Sequence, residues 1–389
     1  MRLAILASHP IQYQVPLFRE LARRHDITVY FAHRSSAKDQ STAGFGVGFE
    51  WDIDLLSDYE YGFLDNVSPK PGLEHFSGCD TPSITAKLRD GCYTALLVMG
   101  WHLKCFVQGI WGAKRLGLPV MVRGDSQLET PRGMAKRVAK RLLYPPALRC
   151  FDAALYVGER SRRYWEYYRY PPSRLFFSPH CVDNNWFSRR ATREAGRMLR
   201  ARCGIEPDAN VVLFAGKLVP FKRPLDVIAA VSSLAPRFPD LTVVIAGDGE
   251  VACAISAAAS KSGVRAVQLG FCNQTEMPAA YAAANVLALP SDGRETWGLV
   301  ANEALACGLP IIVSDACGCA PDLVADGTTG RVFPMGSVTA LAERIATVLV
   351  APPAGETIAR KVDDYSVPKA AEGIDAAFDM VSTRWEGRP

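Results

Sequence analysis

The stretch of residues 291–315, SDGRETWGLVANEALACGLPIIVSD, constrains the fold of this chain more than any other. An apolar run at 285–290 stops at the polar letters SDG, and a helical pattern begins near Gly298. That pattern ends at the letters CGLP, residues 307–310, because Gly and Pro terminate helices. A short apolar run at 311–314 follows. The stretch therefore predicts a strand, a loop, a helix and a second strand in succession.

Two carboxylates border the N-terminus of this predicted helix. Glu295 lies in the loop and Glu303 in the early turns, beside the free N–H groups of Gly298, Leu299 and Val300, which together with the helix dipole favour a bound anion. A ligand that carries both phosphate and hydroxyl groups accounts for this combination, because each carboxylate accepts hydrogen bonds from sugar hydroxyls. That description fits a nucleotide sugar. The alternative is an exposed loop Glu and a solvated helix Glu.

The spacing of the two acids resembles a known family signature. The two acids are separated by seven residues, and the second is followed by the letters ALACGLP. This pattern is similar to the signature of retaining glycosyltransferases of family 4, which have the GT-B fold. In that family the first Glu faces the transferred sugar and the second binds the ribose, so the resemblance implies these roles for Glu295 and Glu303. The resemblance covers nearly the whole chain, strongly over residues 211–333 and loosely before Asp183.

A second motif follows the predicted strand at 211–215. Gly216 allows close approach of the backbone to a ligand, and Lys217 and Lys222, five residues apart on a strand-to-helix loop, can converge on one diphosphate. By resemblance, Lys217 takes the place of the family's usual Arg, and Lys222 matches its Lys. Solvated loop lysines are the alternative. The catalytic residues predicted are Glu295, Lys217 and Lys222.

Further donor-side residues follow two other predicted strands. Asp248 belongs to the turn GDG after the apolar run 241–246, which family members also show behind the donor site. Phe271 follows the run 267–269, where relatives place backbone contacts to the nucleobase; it either stacks on a base or belongs to the core. No Asp-x-Asp motif ends a strand near these groups, so we expect no bound metal ion and no cofactor beyond the nucleotide-sugar substrate.

The N-terminal half begins with the strand, loop and helix pattern of a doubly wound sheet. Because ligands sit beyond the carboxyl ends of parallel strands, His9, Gln12 and Tyr13 are predicted at a cleft, although His9 also fits a turn-capping role. Two more apolar runs end at the same edge, one before His102 and one before Asp125. Either of these two side chains is a candidate acceptor contact, and neither is assigned as a catalytic base.

The length of 389 residues is too great for one hydrophobic core and favours two domains. We predict an α/β protein with two Rossmann-like doubly wound domains facing each other across a cleft. The acceptor domain covers residues 1–190 and the nucleotide-sugar domain 191–365. Residues 366–389 are predicted to form a helix that crosses back to the first domain, with Trp385 as its anchor. The region 34–83 is not placed by its pattern and is expected to hold acceptor-side loops.

The charge of the chain is concentrated locally. A net charge of +4 does not indicate nucleic-acid binding, but residues 132–143 form a basic amphipathic run. We expect this predicted helix to touch an anionic membrane surface near a lipid-linked acceptor; the alternative is that its apolar side packs on its own domain. The eleven scattered cysteines are interpreted as reduced thiols, and the first apolar run is too short for a signal peptide. These features predict a cytoplasmic protein, peripheral at the inner face of the membrane.

The predicted function is metal-independent, retaining transfer of a hexosyl group from a nucleotide sugar to a hydroxyl group, in polysaccharide biosynthesis. The acceptor is a glycan, a lipid-linked molecule or a small molecule. Two alternatives remain at this point. One is a nucleotide-sugar epimerase or hydrolase on the same fold, and the other is a non-catalytic nucleotide-sugar-binding subunit.

Overall fold

The N-terminal half of the chain forms one parallel sheet. The computed structural model describes residues 1–34, 47–324 and 327–386, with the backbone alone for 384–386. In the described part of this half the strand order is β3-β2-β1-β4-β5-β6-β7, and all pairs are parallel. The strands are β1 Arg2–Ala7, β2 Asp26–Phe31, β3 Glu60–Phe63, β4 Ala95–Val98, β5 Val120–Gly124, β6 Ala153–Tyr156 and β7 Leu175–Phe177.

The C-terminal half forms a second parallel sheet, with the order β10-β9-β8-β11-β12-β13. Its strands are β8 Val211–Ala215, β9 Thr242–Ala246, β10 Arg265–Gly270, β11 Val286–Leu289, β12 Ile311–Ser314 and β13 Gly330–Phe333. In both sheets the strand order reverses direction beside the first strand, at β1 and at β8. Ligands of doubly wound sheets bind beyond the carboxyl ends of the strands at this reversal.

Helices cover both faces of each sheet. The N-terminal half contains α1 Val15–Arg24, α2 Ile84–Asp90, α3 Lys104–Arg115, α4 Met134–Ala147 and α5 Glu159–Tyr167. They are followed by α6 Asn184–Arg190, α7 Arg193–Arg202, α8 Pro224–Leu234, α9 Ala252–Ser262, α10 Met277–Ala283, α11 Leu299–Ala306, α12 Ala320–Leu323, α13 Val338–Val350, α14 Gly355–Asp364 and α15 Val367–Glu386. Two buried apolar clusters flank each sheet. None of the helices in the described ranges is long and apolar enough to span a membrane.

The prediction of an α/β protein with two Rossmann-like sheets is confirmed. Strands β7, β8 and β12 have the predicted bounds, because a continuous apolar run marks each of them; β8 and β12 are buried, and the edge strand β7 is half-buried. Strand β3 is not predicted, since its sequence EYGF lies at the sheet edge with two exposed residues and lacks such a run. It falls in the region that the sequence pattern leaves unplaced, of which residues 35–46 lie outside the described ranges.

Helix α15 packs against the N-terminal sheet although it follows the C-terminal one in the chain. Its side chains Ile374 and Phe378 are fully buried in one cluster with residues of β1 and β2. A Cβ at Gly373 would lie 1.8 Å from the carbonyl oxygen of Phe177, so the helix touches the backbone of β7. The predicted anchor Trp385 lies outside the side chains that are described.

Helix α6 packs with the C-terminal sheet. Phe187 shares a buried cluster with Leu213 of β8 and Ala301 of α11. Asp183 caps this helix by accepting a hydrogen bond from the backbone N–H of Trp186 at 2.9 Å. The predicted division at residue 190 assigns this helix to the first domain, whereas its contacts associate it with the second sheet.

Candidate active site

The loop between β11 and α11 brings an acid to a cation of the neighbouring loop. The Glu295 Oε2 atom accepts a hydrogen bond from Lys222 Nζ and lies 3.3 Å from the Ser291 Oγ atom. Only 12% of the Lys222 side chain and 13% of the Glu295 side chain are exposed. Burial of an ion pair costs desolvation energy and by itself adds little stability, so the pair is better explained by binding or catalysis.

Lys217 adds a second positive charge to this pair. Burial and the charge of Lys222 lower the pKa of Lys217, while Glu295 acts in the opposite direction. Gly216 has a φ of 133°, and a Cβ at this position would lie 4.0 Å from Lys222 Nζ. Two ammonium groups and one carboxylate therefore meet where the chain leaves β8, and the excess positive charge favours an anionic ligand.

The N-terminus of α11 adjoins the same loop. Gly298 precedes the helix with a φ of 101°, a left-handed conformation in which a Cβ would also lie 2.7 Å from the Leu289 Cδ2 atom. The first turn, with Leu299 and Val300, contains no acidic residue that would neutralise the helix dipole. Its N–H groups have no intrahelical acceptor, so this end of the helix favours an anion.

Glu303 lies at the cleft between the two halves of the chain. The Tyr281 hydroxyl donates a hydrogen bond of 2.6 Å to Glu303 Oε2. Burial raises the pKa of Glu303 to about 7, although the hydrogen bond from Tyr281 lowers it. Glu303 lines a cavity of about 290 Å³ together with Gln12 and Asp52 from the first half and Thr275 from the second. The carboxylate therefore faces a space large enough for part of a nucleotide.

The acceptor-side candidates are divided between two cavities. Tyr13 lines the first cavity and also a second cavity of about 270 Å³; His102 and Asp125 line only the second and Gln12 only the first. His9 lies outside both linings, with its Nδ1 atom 3.0 Å from the Ser8 Oγ atom.

A hydrogen bond joins the second cavity to the central loop. The Asp125 Oδ2 atom accepts it from the Thr296 hydroxyl at 2.6 Å. Thr296 follows Glu295 directly in the chain. The second cavity therefore adjoins the acid that the family resemblance places beside the transferred sugar.

Asp248 and Phe271, the two other donor-side candidates, make contacts within the protein. The Asp248 Oδ1 atom accepts a hydrogen bond of 2.7 Å from the backbone N–H of Gly249, so the carboxylate stabilises its own turn. Its contact with a nucleotide sugar stays a prediction. The Phe271 ring is tilted by 33° to the ring of Phe49, with 4.0 Å between centroids. Phe271 therefore forms an aromatic contact between the two halves of the chain.

His180 and Gln14 are further residues of the second cavity that the sequence interpretation missed. Burial lowers the pKa of His180 to about 3, so the imidazole is neutral. Its ring lies 6.0 Å from Tyr13 and 5.4 Å from Trp297, measured between centroids. Because His180 follows β7 at the carboxyl edge of the sheet, topology could have indicated it.

Comparison with known proteins agrees with this architecture. The family model "Glycosyl transferases group 1" matches residues 198–362. The structure is similar to that of Anabaena HepE, which was solved in complex with UDP. The similarity covers 98% of this chain and 100% of that chain, with a TM-score of 0.75 and 18% sequence identity. Sucrose-phosphate synthase from Thermosynechococcus elongatus gives a TM-score of 0.73 at 17% identity, covering 99% of this chain and 100% of that chain. These likenesses confirm the predicted GT-B fold.

The curated relatives of this chain are named as glycosyltransferases. A D-inositol 3-phosphate glycosyltransferase of Corynebacterium glutamicum is 33% identical over 58% of this chain and 54% of its own length. A GDP-mannose-dependent α-(1-6)-phosphatidylinositol monomannoside mannosyltransferase of Mycolicibacterium smegmatis is 31% identical over 52% of this chain and 54% of its own. The chain thus matches about half the length of these curated relatives.

Proposed function

We propose that this protein is a retaining glycosyltransferase that moves a hexosyl group from a nucleotide sugar to an acceptor hydroxyl. The observation that carries the proposal is the convergence of Lys217, Lys222 and Glu295 beside the N-terminus of α11. The named activities of the curated relatives support the same class of reaction. The bond from the anomeric carbon to the diphosphate breaks, a bond from that carbon to the acceptor oxygen forms on the same face, and the hydroxyl proton passes to the leaving diphosphate.

The leaving nucleoside diphosphate carries the negative charge that develops in this step. The ammonium groups of Lys217 and Lys222 and the N–H groups of residues 298–300 stabilise that charge, as fixed donors do in other transfer reactions. In the structure Lys222 binds Glu295. A bound diphosphate competes for Lys222, which leaves the Glu295 carboxylate able to accept hydrogen bonds from the transferred sugar.

Thermal-shift measurements with a panel of nucleotide sugars, followed by product analysis, test this function. We expect one nucleotide sugar to raise the melting temperature, because a ligand that binds only the folded state stabilises it. With an acceptor, the product should keep the anomeric configuration of the donor in its NMR spectrum. Rapid turnover of the donor alone would instead indicate a hydrolase or an epimerase, and binding without turnover would indicate a non-catalytic subunit.

The two acids should differ in their effect on nucleotide binding. We expect Glu303→Ala to weaken binding of UDP or GDP by about 1.5–3 kcal/mol, because it removes a charge-assisted hydrogen bond to the ribose. Glu295→Ala should leave this binding nearly unchanged, because a free diphosphate lacks the sugar that Glu295 faces. Isothermal calorimetry measures both, and the opposite ranking would reverse the two assignments.

The pH dependence of the same titration provides a control. Because burial raises the pKa of Glu303 to about 7, the fraction of its carboxylate form grows as the pH rises through neutrality. We expect the contribution of Glu303 to ribose binding to grow in parallel. Glu303→Gln keeps the size of the side chain and removes its titration, so the difference in pH dependence between wild type and this variant isolates the carboxylate.

Catalysis is expected to need no divalent cation. Lys217 and Lys222 supply two positive charges where the diphosphate is proposed to bind, which is the role that a metal ion performs in other transferases. Turnover measured after dialysis against EDTA should equal that of the untreated protein. Loss of activity on EDTA treatment, with recovery on adding Mn²⁺ or Mg²⁺, would contradict this proposal.

Helix α4 is proposed to dock the protein on an anionic membrane that carries the acceptor. None of its residues is buried: Met134 and Leu142 are each 71% exposed and Val138 is 53% exposed. The exposure of these three side chains supports docking over the alternative from sequence, in which they pack on their own domain, although Tyr144 of the same helix does pack against the core. Basic side chains that complement an anionic surface occur along the same helix, namely Lys136, Arg137, Lys140 and Arg141. Arg132, predicted in the helix, precedes it and donates to the carbonyl of Gln127.

The segment that precedes α4 contacts the loop that carries Glu295. The Gln127 amide, just before the helix, donates to the carbonyl of Gly293 at 3.3 Å, within the loop that carries Glu295. Contact of α4 with a membrane would therefore bring that loop near the lipid surface. Each basic residue close to an anionic leaflet contributes about 1 kcal/mol, and added salt weakens the attraction.

Liposome flotation tests this docking. We expect binding to rise with the fraction of anionic lipid and to fall strongly when Lys136, Arg137, Lys140 and Arg141 are all changed to Gln. A control with the same loss of charge changes four exposed arginines on or near α6 and α7 to Gln, namely Arg189, Arg193, Arg197 and Arg202. Equal flotation of wild type and the α4 variant would refute membrane docking by this helix.

A further inference from the structure

Asp322 joins the two halves of the chain behind the loop that carries Glu295. This side chain lies on the short helix α12 of the second half and is 8% exposed. Its two carboxylate oxygens accept hydrogen bonds of 2.9 and 3.1 Å from the backbone N–H of Glu159, the first residue of α5 in the other half. The Tyr365 hydroxyl donates a further bond of 2.9 Å. A carboxylate of one half therefore caps a helix of the other.

Helix α5 begins with a residue that cannot cap it. Its N-cap is Gly158, which has no side chain to accept hydrogen bonds from the free N–H groups of the first turn. The carboxylate of Glu159 is held by Arg162 and Arg163. Asp322 meets the free N–H instead, at the end of the helix where the dipole favours a negative charge. The position of α5 is therefore tied to a side chain of the second half.

Trp297 lies at the same junction, two residues after Glu295 in the chain. Its ring packs on the start of α5, because a Cβ at Gly158 would lie 2.3 Å from the Trp297 Cζ3 atom and 2.9 Å from Asp322 Oδ1. The centroid of this ring also lies 5.9 Å from that of Tyr365. Trp297 is only 4% exposed, so its indole is enclosed between the two halves where Asp322 holds them together.

Backbone hydrogen bonds connect this junction to Glu295. The N–H of Gly318 donates to the carbonyl of Glu295 at 3.0 Å, and the N–H of Cys319 donates to the carbonyl of Trp297 at 3.1 Å. A Cβ at Gly318 would lie 1.7 Å from the carbonyl oxygen of Thr296, so the two segments are in direct backbone contact. Because Cys319 immediately precedes α12, a displacement of α12 would move the backbone that carries Glu295.

Helix α5 also contacts the acceptor side of the cleft. The Ser161 hydroxyl donates to the carbonyl of Gly124 at 3.0 Å, at the end of β5. The next residue, Asp125, lines the second cavity and accepts the hydrogen bond from Thr296. One helix of the first half therefore contacts both the acceptor-side strand end and the capping carboxylate.

We propose that Asp322 is a positioning residue: it holds α5 against α12 and Trp297 and thereby fixes the position of Glu295 relative to the acceptor side. The proposal rests on the proposed glycosyl transfer, in which Glu295 faces the transferred sugar. Asp322 lines neither cavity and touches no reacting group. Misplacement of reacting groups by about 1 Å can lower turnover by about 10²-fold. Loss of Asp322 therefore lowers kcat and leaves nucleotide binding intact.

Steady-state kinetics on Asp322→Ala tests this role. We expect kcat to fall by about 10–10²-fold while the Kd of UDP or GDP, measured by calorimetry, stays within about twofold, because the diphosphate site lies outside the junction. Asp322→Asn keeps one carbonyl oxygen as an acceptor and should restore part of kcat. Asp152→Ala is the matched control and should keep the wild-type kcat. Its carboxylate also accepts a backbone N–H, that of Val120 at 2.8 Å, but at the amino edge of the first sheet.

The NMR signal of the Trp297 indole provides a readout that does not depend on activity. Trp297 Nε1 donates to the Asn302 side chain at 2.7 Å, and loss of the signal in Trp297→Phe assigns it in nitrogen-labelled protein. We expect the signal to shift in Asp322→Ala and to stay in place in Asp152→Ala. A loss of stability alone would leave the signal of the folded protein unchanged.

Two results would overturn the proposal: a folded Asp322→Ala protein with the wild-type kcat, or one with an unshifted Trp297 signal. If Asp322→Ala does not fold, Gly158→Ala repeats the test, because the added methyl group is directed at the Trp297 ring while the extended backbone there accepts alanine. It should show the same fall in kcat and the same shift. Absence of turnover by the wild-type protein would instead refute the glycosyltransferase proposal, and the indole signal would still test the junction.

Discussion

Replacement of Lys222 by Ala is expected to lower turnover by roughly 10²–10³-fold, the effect typical of losing one preorganised donor that stabilises developing charge. Lys222 is positioned for this role because its side chain is mostly buried beside Glu295 and next to Lys217. Removal of Lys217 should have an effect of similar size, since both ammonium groups are proposed to face the same diphosphate. Initial rates of nucleoside diphosphate release measure the change.

Controls for this prediction separate loss of charge from loss of folding. Lys222→Ala leaves the Glu295 carboxylate without its partner, so thermal unfolding must be measured on the same sample. The double variant Lys222→Ala with Glu295→Gln removes that unpaired charge and should remain equally inactive. Lys261→Ala, in the last turn of α9, makes the same substitution away from the site and should retain wild-type turnover. Near-normal turnover by a folded Lys222→Ala protein would remove Lys222 from the mechanism.

Phe378→Ala is expected to lower the free energy of unfolding of the N-terminal half by about 3–5 kcal/mol, because it deletes a fully buried ring and leaves a cavity. Phe378 lies on α15 in the cluster that covers β1 and β2, and its ring contacts His25 edge-on at 5.4 Å between centroids. Urea denaturation followed by circular dichroism measures the change.

The exposed residue Phe76 provides the matched control for this substitution. Its side chain is 56% exposed, so Phe76→Ala should change stability far less than Phe378→Ala. Binding of UDP or GDP to the folded protein should survive Phe378→Ala, because Lys217, Lys222 and Glu303 belong to the other sheet. A stability loss no larger than that of Phe76→Ala would show that α15 is dispensable for the first domain.

The sequence predicts those residues of the site that directly follow a recognisable strand. Glu295, Lys217 and Lys222 each follow a strand made of a continuous apolar run, and parallel topology then brings their loops to one edge. His180 and Gln14 differ, because only the three-dimensional packing shows that His180 Nδ1 and Gln14 Oε1 have no hydrogen-bond partner among the described residues. The sequence indicates the strand ends but not which side chains remain unsatisfied there.

Two further features of the structure could not be predicted, because they depend on contacts between segments that are distant in the chain. The tilted ring contact between Phe49 and Phe271 joins the two halves of the chain, and no periodicity in either segment indicates it. The exposure of α4 is similar, since an amphipathic pattern fits a buried helix and a membrane-facing helix equally well. The structure exposes Met134 and Leu142 by 71% each, which the pattern alone does not indicate, and contact of α4 with a membrane stays a proposal.

The return of α15 to the first sheet determines the order in which the protein can be completed during synthesis. Domains generally fold as units from the N-terminus as the chain emerges from the ribosome. Here the face of β1 and β2 that α1 covers in part is completed only when Ile374 and Phe378 have emerged, after the whole second sheet. The half of the chain that is translated first is therefore the last to complete its hydrophobic core. In that interval its apolar face is exposed to the chaperones and proteases of the cell.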